Sequence, residues 1–77
     1  MGEIKYMPAG DRALVVEFGN QIDPAINDKV HALAARIAET RIPGVQEMVP
    51  TFRSLMIYYD PAITSFENVR KQTAELT

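Results

Sequence analysis

Apolar and polar residues alternate along Ala13–Phe18 and then recur every three to four positions from Ile26 to Ile37, and this change of period outlines the chain. In the first stretch Leu14, Val16 and Phe18 share one face while Ala13, Val15 and Glu17 share the other, the period of a half-buried strand. Ile4–Met7 is a shorter run of strand formers ahead of it, separated by the turn residues Pro8-Ala9-Gly10-Asp11, and Gly19-Asn20 breaks the second run. Asp23-Pro24 predicts a helix start, because Asp can cap free amides and Pro at the first helical position gives up no hydrogen bond. Ile26, Val30, Leu33 and Ile37 form its apolar stripe, and the helix stops near Arg41, since Pro43-Gly44 cannot continue it.

Two further strands follow, Val45–Val49 and Leu55–Tyr59, joined by Pro50–Ser54 and closed by Asp60-Pro61. Thr64-Ser65-Phe66-Glu67 has capping-box spacing, with Thr64 as the expected cap. Phe66, Val69, Thr73 and Leu76 then give the inward stripe of a second helix. The predicted order is ββαββα: an α+β, two-layer sandwich of roughly ferredoxin-like character, with both helices on one face of a four-stranded sheet. The passage from Ala13 to Val49 should be a right-handed crossover between parallel strands. A ferredoxin-like unit counted from Ala13 needs one more strand after the second helix. Either the first strand substitutes for it, or the chain is a piece of something longer.

With 77 residues the chain is a single domain, of a size that buries only about 60% of its unfolded surface. A hydrophobic content of 47% is too high for disorder. No cysteine is present, which removes disulfides, thiolate metal sites and cysteine nucleophiles. No apolar run approaches the roughly 20 residues of a membrane span, and no secretory signal pattern is seen, so the cytoplasm is the expected location. A net charge of −2 with interspersed signs argues against nucleic acid or an anionic membrane as partner.

Candidate chemistry is sparse. Arg12 and Arg53 could grip an anion, but they belong at opposite poles of the sheet: Arg12 near Asp60 and Gly44, Arg53 near the Asn20–Asp23 turn. Asp11 is expected in a turn, bonded to its own backbone. Asp11, Arg12 and Arg53 are therefore polar contacts rather than a catalytic set. His31, the only histidine, has Asn27 and Ala35 one turn away, so no metal pattern forms and a solvated helix position is expected. Ser54 lacks an activating base, and Thr51 with Ser54 should support the hairpin turn. Gly10 and Gly44 are lone glycines and do not compose a phosphate loop. No catalytic or metal-binding residue is assigned. The remaining signal is apolar surface: a two-layer sandwich leaves one sheet face bare, and alternation puts Val15, Met48, Met56 and Tyr58 there, although Glu47 would then fall among buried residues. Met and Tyr are favoured at contact surfaces.

Three landmarks occur in order: Gly10-Asp11-Arg12-Ala13-Leu14-Val15-Val16-Glu17-Phe18-Gly19, the Ile22–Ile37 helix, and Val49-Pro50-Thr51-Phe52-Arg53-Ser54-Leu55 with Tyr59-Asp60-Pro61. This pattern resembles the N-terminal part of the family that comprises allophanate hydrolase subunit 1, the KipI-type kinase inhibitors and the B subunit of 5-oxoprolinase, over essentially the whole chain. The resemblance implies a longer parent protein whose C-terminal cyclophilin-like barrel is absent here. It also implies a partner of the allophanate hydrolase subunit 2 type and ATP-dependent opening of 5-oxoproline or allophanate. ATP belongs to the parent complex, and no cofactor is expected in this segment. KipI-type members instead inhibit a sensor histidine kinase. A non-catalytic assembly domain is thus the leading expectation, a kinase-inhibiting module the alternative, and a free-standing enzyme the third. Self-association through the bare sheet face is expected of the segment alone.

Overall fold

The computed structural model describes residues 4–19 and 23–77. Its elements are β1 (Lys5–Pro8), β2 (Ala13–Glu17), α1 (Pro24–Thr40), β3 (Val45–Pro50), β4 (Ser54–Tyr59) and α2 (Phe66–Leu76), in the order read from the sequence. The strands form one sheet in the order β1-β2-β4-β3, with every neighbouring pair antiparallel. Because β4 is antiparallel to both β2 and β3, those two run parallel with β4 between them. β1 lies on the outer edge of β2, where the last strand of a ferredoxin-like unit counted from Ala13 would lie. The first strand occupies that place in this chain.

Leu14, Val16 and Phe18 and then Leu55, Ile57 and Tyr59 are buried on one sheet face. They meet Val30, Leu33 and Ile37 of α1, Val69 of α2 and Ile42 of the loop between α1 and β3. Each such side chain contributes about 1.5–3 kcal/mol on burial, so the apolar stripes hold the two layers together. α1 begins where Asp23, in extended backbone, accepts a 2.9 Å bond from the Ala25 amide, with Pro24 next in line. It ends at Arg41, whose backbone is left-handed (φ 59°) and whose amide donates to the Ile37 carbonyl at 3.0 Å.

Two local expectations are corrected. The cap of α2 is Ser65, not Thr64: Ser65 has the extended backbone (φ −137°, ψ 162°) and its hydroxyl accepts from the Asn68 amide at 3.2 Å. Thr64 Oγ1 instead accepts from the Asn68 side-chain amide at 2.8 Å, and Glu67 pairs with Arg70 one turn on. The second correction concerns β3. Val45 pairs with Tyr59, but Glu47 already pairs with Tyr58, so Gln46 is an extra residue, a β-bulge. A bulge shifts the alternation by one. Met48, opposite Ile57, consequently packs against the core on the helix side, and Glu47 is exposed on the other. Met48 does not lie on the bare face. Val49 does.

Candidate functional site

The bare face is built by register. Met7 pairs with Val15, Val15 with Met56, and Met56 with Val49. Residues directly opposite one another share a face, so these four side chains form one apolar row across every strand of the sheet. With strands about 4.8 Å apart, the row is about 14 Å long. Its two ends are the most open, Met7 at 37% and Val49 at 39% exposed, while Val15 and Met56 between them are half-buried. On one side runs a second row, Ala13, Tyr58 and Glu47; on the other run Lys5, Glu17 and Ser54. Ala13, opposite Tyr58, is buried. Val15, Met56 and Tyr58 thus stand where alternation puts them. Met7 and Val49 were missed, and Met48 was misplaced.

The polar candidates do not converge. The Arg12 carbonyl accepts from the Tyr59 amide at 3.0 Å, and the Asp60 amide donates to the Gly44 carbonyl at 2.8 Å, so Arg12, Asp60 and Gly44 share one pole. The Arg53 carbonyl accepts from the Phe18 amide at 3.0 Å, and the Asn27 side chain donates to the Phe52 carbonyl at 3.3 Å, which sets Arg53 at the other pole beside the start of α1. The Asn20–Ile22 part of the turn expected beside Arg53 lies outside the described residues. Asp11 and Arg12 form an exposed ion pair at 3.6 Å, an arrangement worth about 0–1 kcal/mol. Ser54 is tied to the hairpin turn: its hydroxyl lies 2.6 Å from Thr51 Oγ1, and its amide donates to that atom at 3.1 Å. His31 is exposed on α1. Among the described residues no cluster of three or more His, Cys, Asp or Glu could hold a metal ion, and no helix is long and apolar enough to cross a membrane. Among the described residues, the feature the geometry offers is a bare apolar sheet face.

Comparison with known proteins agrees with the architecture. The profile of the carboxyltransferase domain, subdomain C and D, matches residues 4–77. The chain is 45% identical over 51 residues to the B subunit of 5-oxoprolinase from Bacillus subtilis, 66% of this chain but only 21% of that protein. Among solved structures, the urea amidolyase of K. lactis superposes with a TM-score of 0.90 at 26% identity, covering 95% of this chain and 4% of that one. The N-terminal domain of the histidine kinase inhibitor KipI from Bacillus subtilis superposes with a TM-score of 0.79 at 34% identity, covering 96% and 83%. The chain therefore spans a small part of the two enzymes and most of the KipI domain. On this match along nearly its whole length, the chain belongs to the carboxyltransferase-domain subdomain C and D family, together with the 5-oxoprolinase B subunit, urea amidolyase and KipI.

Proposed function

We propose that this chain acts as a non-catalytic N-terminal assembly domain of a subunit like the 5-oxoprolinase B subunit or allophanate hydrolase subunit 1, within a cytoplasmic, ATP-dependent amide-hydrolysing complex. The observation that carries this reading is the apolar row Met7-Val15-Met56-Val49, flanked by Tyr58, on the sheet face that no helix covers. Contiguous apolar surface on a folded domain usually marks a contact site. In this reading the face is covered by another part of the assembled subunit or by a partner. A partner of the allophanate hydrolase subunit 2 type would then be held by the assembled subunit, and ATP would be used elsewhere in the complex.

The purified chain is expected to turn over neither 5-oxoproline nor allophanate, with or without ATP. Turnover by the wild-type chain that is lost on Asp11→Ala or Arg12→Ala would overturn the non-catalytic assignment. The match to the KipI N-terminal domain over 83% of its length supports a second reading, a module that inhibits a sensor histidine kinase. Inhibition of a kinase's autophosphorylation by this chain, with no effect on a hydrolase subunit, would favour that reading over the first.

A further inference from the structure

The alternation of hydrogen bonds along the sheet decides which way each edge strand turns its free backbone groups. Just past β1 the Ala9 amide donates to the Ala13 carbonyl at 2.9 Å, and Met7 and Lys5 follow at two-residue intervals, opposite Val15 and Glu17. Bonded and non-bonded pairs alternate along an antiparallel ladder, so Lys5 and Met7 face β2 while Tyr6 and Pro8 turn their backbone outward. At the end of β3 the Thr51 amide donates to the Ser54 carbonyl at 2.8 Å, and Val49 and Glu47 are opposite Met56 and Tyr58. Met48 and Pro50 are therefore the outward residues of that strand. Proline has no N–H. Each edge thus lacks a donor where its proline stands, which leaves the Tyr6 amide on β1 and the Met48 amide on β3. Among the described residues no strand pairs with either outer side.

These edges need closing. Met7 and Val49 are exposed apolar residues of the two edge strands, and an apolar edge with free N–H and C=O groups is a template on which another strand can add. Such addition needs a donor at every alternate position along the edge. A proline at one of them removes the donor and sets its ring where the incoming strand would lie. The extra residue Gln46 acts in the same direction on β3, because a bulge interrupts the ladder and increases the local twist. The ladder also explains why each proline can stand only where it does. At Lys5, Met7, Glu47 or Val49 the missing N–H would break a bond inside the sheet.

We infer that Pro8 and Pro50 close this sheet to strand addition at both edges, so that copies of the chain do not join into one continuous sheet. The closure is independent of the bare face. A chain that never associates still has closed edges, and a chain that associates through the face leaves them unpaired. The test is amide hydrogen exchange of the 15N-labelled chain at micromolar and millimolar concentration, with sedimentation of each sample. An unpaired edge amide exchanges without any opening of the fold, so in the wild type Tyr6 and Met48 should exchange at the same rate at both concentrations. Pro50→Val restores the donor in a good strand former. It should associate more strongly than wild type, and its Met48 amide should exchange about tenfold more slowly at the higher concentration, the weight of one hydrogen bond. Pro8→Val should do the same at Tyr6. The double variant Pro50→Val, Met56→Lys should keep this protection, because edge pairing does not use the face. Concentration-dependent slowing of Tyr6 or Met48 in the wild type would overturn the inference, as would proline variants that both sediment and exchange like the wild type. Loss of the protection in the double variant would overturn it too, by assigning the association to the face.

Discussion

Thr73 shows how much a single atom can weigh in a domain this small. It is fully buried on the inward stripe of α2, and its hydroxyl has no hydrogen-bond partner among the described residues. A buried polar group left unsatisfied costs about 1–3 kcal/mol, and Thr73→Val would exchange the hydroxyl for a methyl in an apolar setting. The expected outcome is a gain of about 1 kcal/mol, a rise in Tm of about 4–8 °C for a domain of this length; a fall in Tm would show that the hydroxyl has a partner. Gly44 lies at the opposite extreme. Its φ is +90°, and a Cβ there would come within 2.6 Å of Thr64 Cγ2, while its carbonyl already holds the Asp60 amide. Left-handed strain of about 1–2 kcal/mol adds to this collision, so Gly44→Ala should cost more than about 2 kcal/mol in chemical denaturation. The sequence marks Gly44 as the residue after a helix-stopping proline. It does not reveal that a loop some twenty residues later closes over it.

At the scale of elements, α1 was legible and β3 was not, for one reason. The α1 stripe repeats without interruption, so Val30, Leu33 and Ile37 could be placed inward from spacing alone, and all are buried. In β3, Val45 and Met48 both pack on the helix side, a separation of three that no uniform period-two strand allows. The clash of Glu47 with an inward position was the trace of the bulge, visible in the sequence but interpretable only once Tyr58 and Tyr59 fixed the register. The Thr64-for-Ser65 exchange is a smaller case: adjacent hydroxyls both suit a cap, and backbone geometry chooses between them. The stripe supports a direct comparison. Leu33→Ala and Ile37→Ala should each cost about 2–5 kcal/mol in chemical denaturation, whereas exposed His31→Ala should stay within about 0.5 kcal/mol. Equal losses from all three would mean that α1 packs through a different face.

At the scale of the whole molecule, two layers leave one sheet face without a cover, and this was readable from element order alone. Its composition was readable only in part. Val15, Met56 and Tyr58 follow from alternation in β2 and β4, but Met7 joins them only because β1 folds back onto β2, and Val49 only because of the bulge. A stable interface buries about 800 Å2 per partner, more than one row of four side chains provides, so the isolated chain should pair with itself weakly through this face. A two-fold dimer is the commonest form of such association.

Sedimentation equilibrium of the wild-type chain alongside Met56→Lys, with the Tm of each, tests the bare face most directly, because Met56 is at the centre of the row and half-exposed. The wild type should show a reversible monomer–dimer equilibrium at high concentration. Met56→Lys should be monomeric throughout, with a Tm within about 4 °C of wild type, equivalent to less than about 1 kcal/mol. A wild type that stays monomeric at millimolar concentration, or a Met56→Lys chain that unfolds, would contradict the docking face, the second by showing that Met56 belongs to the core.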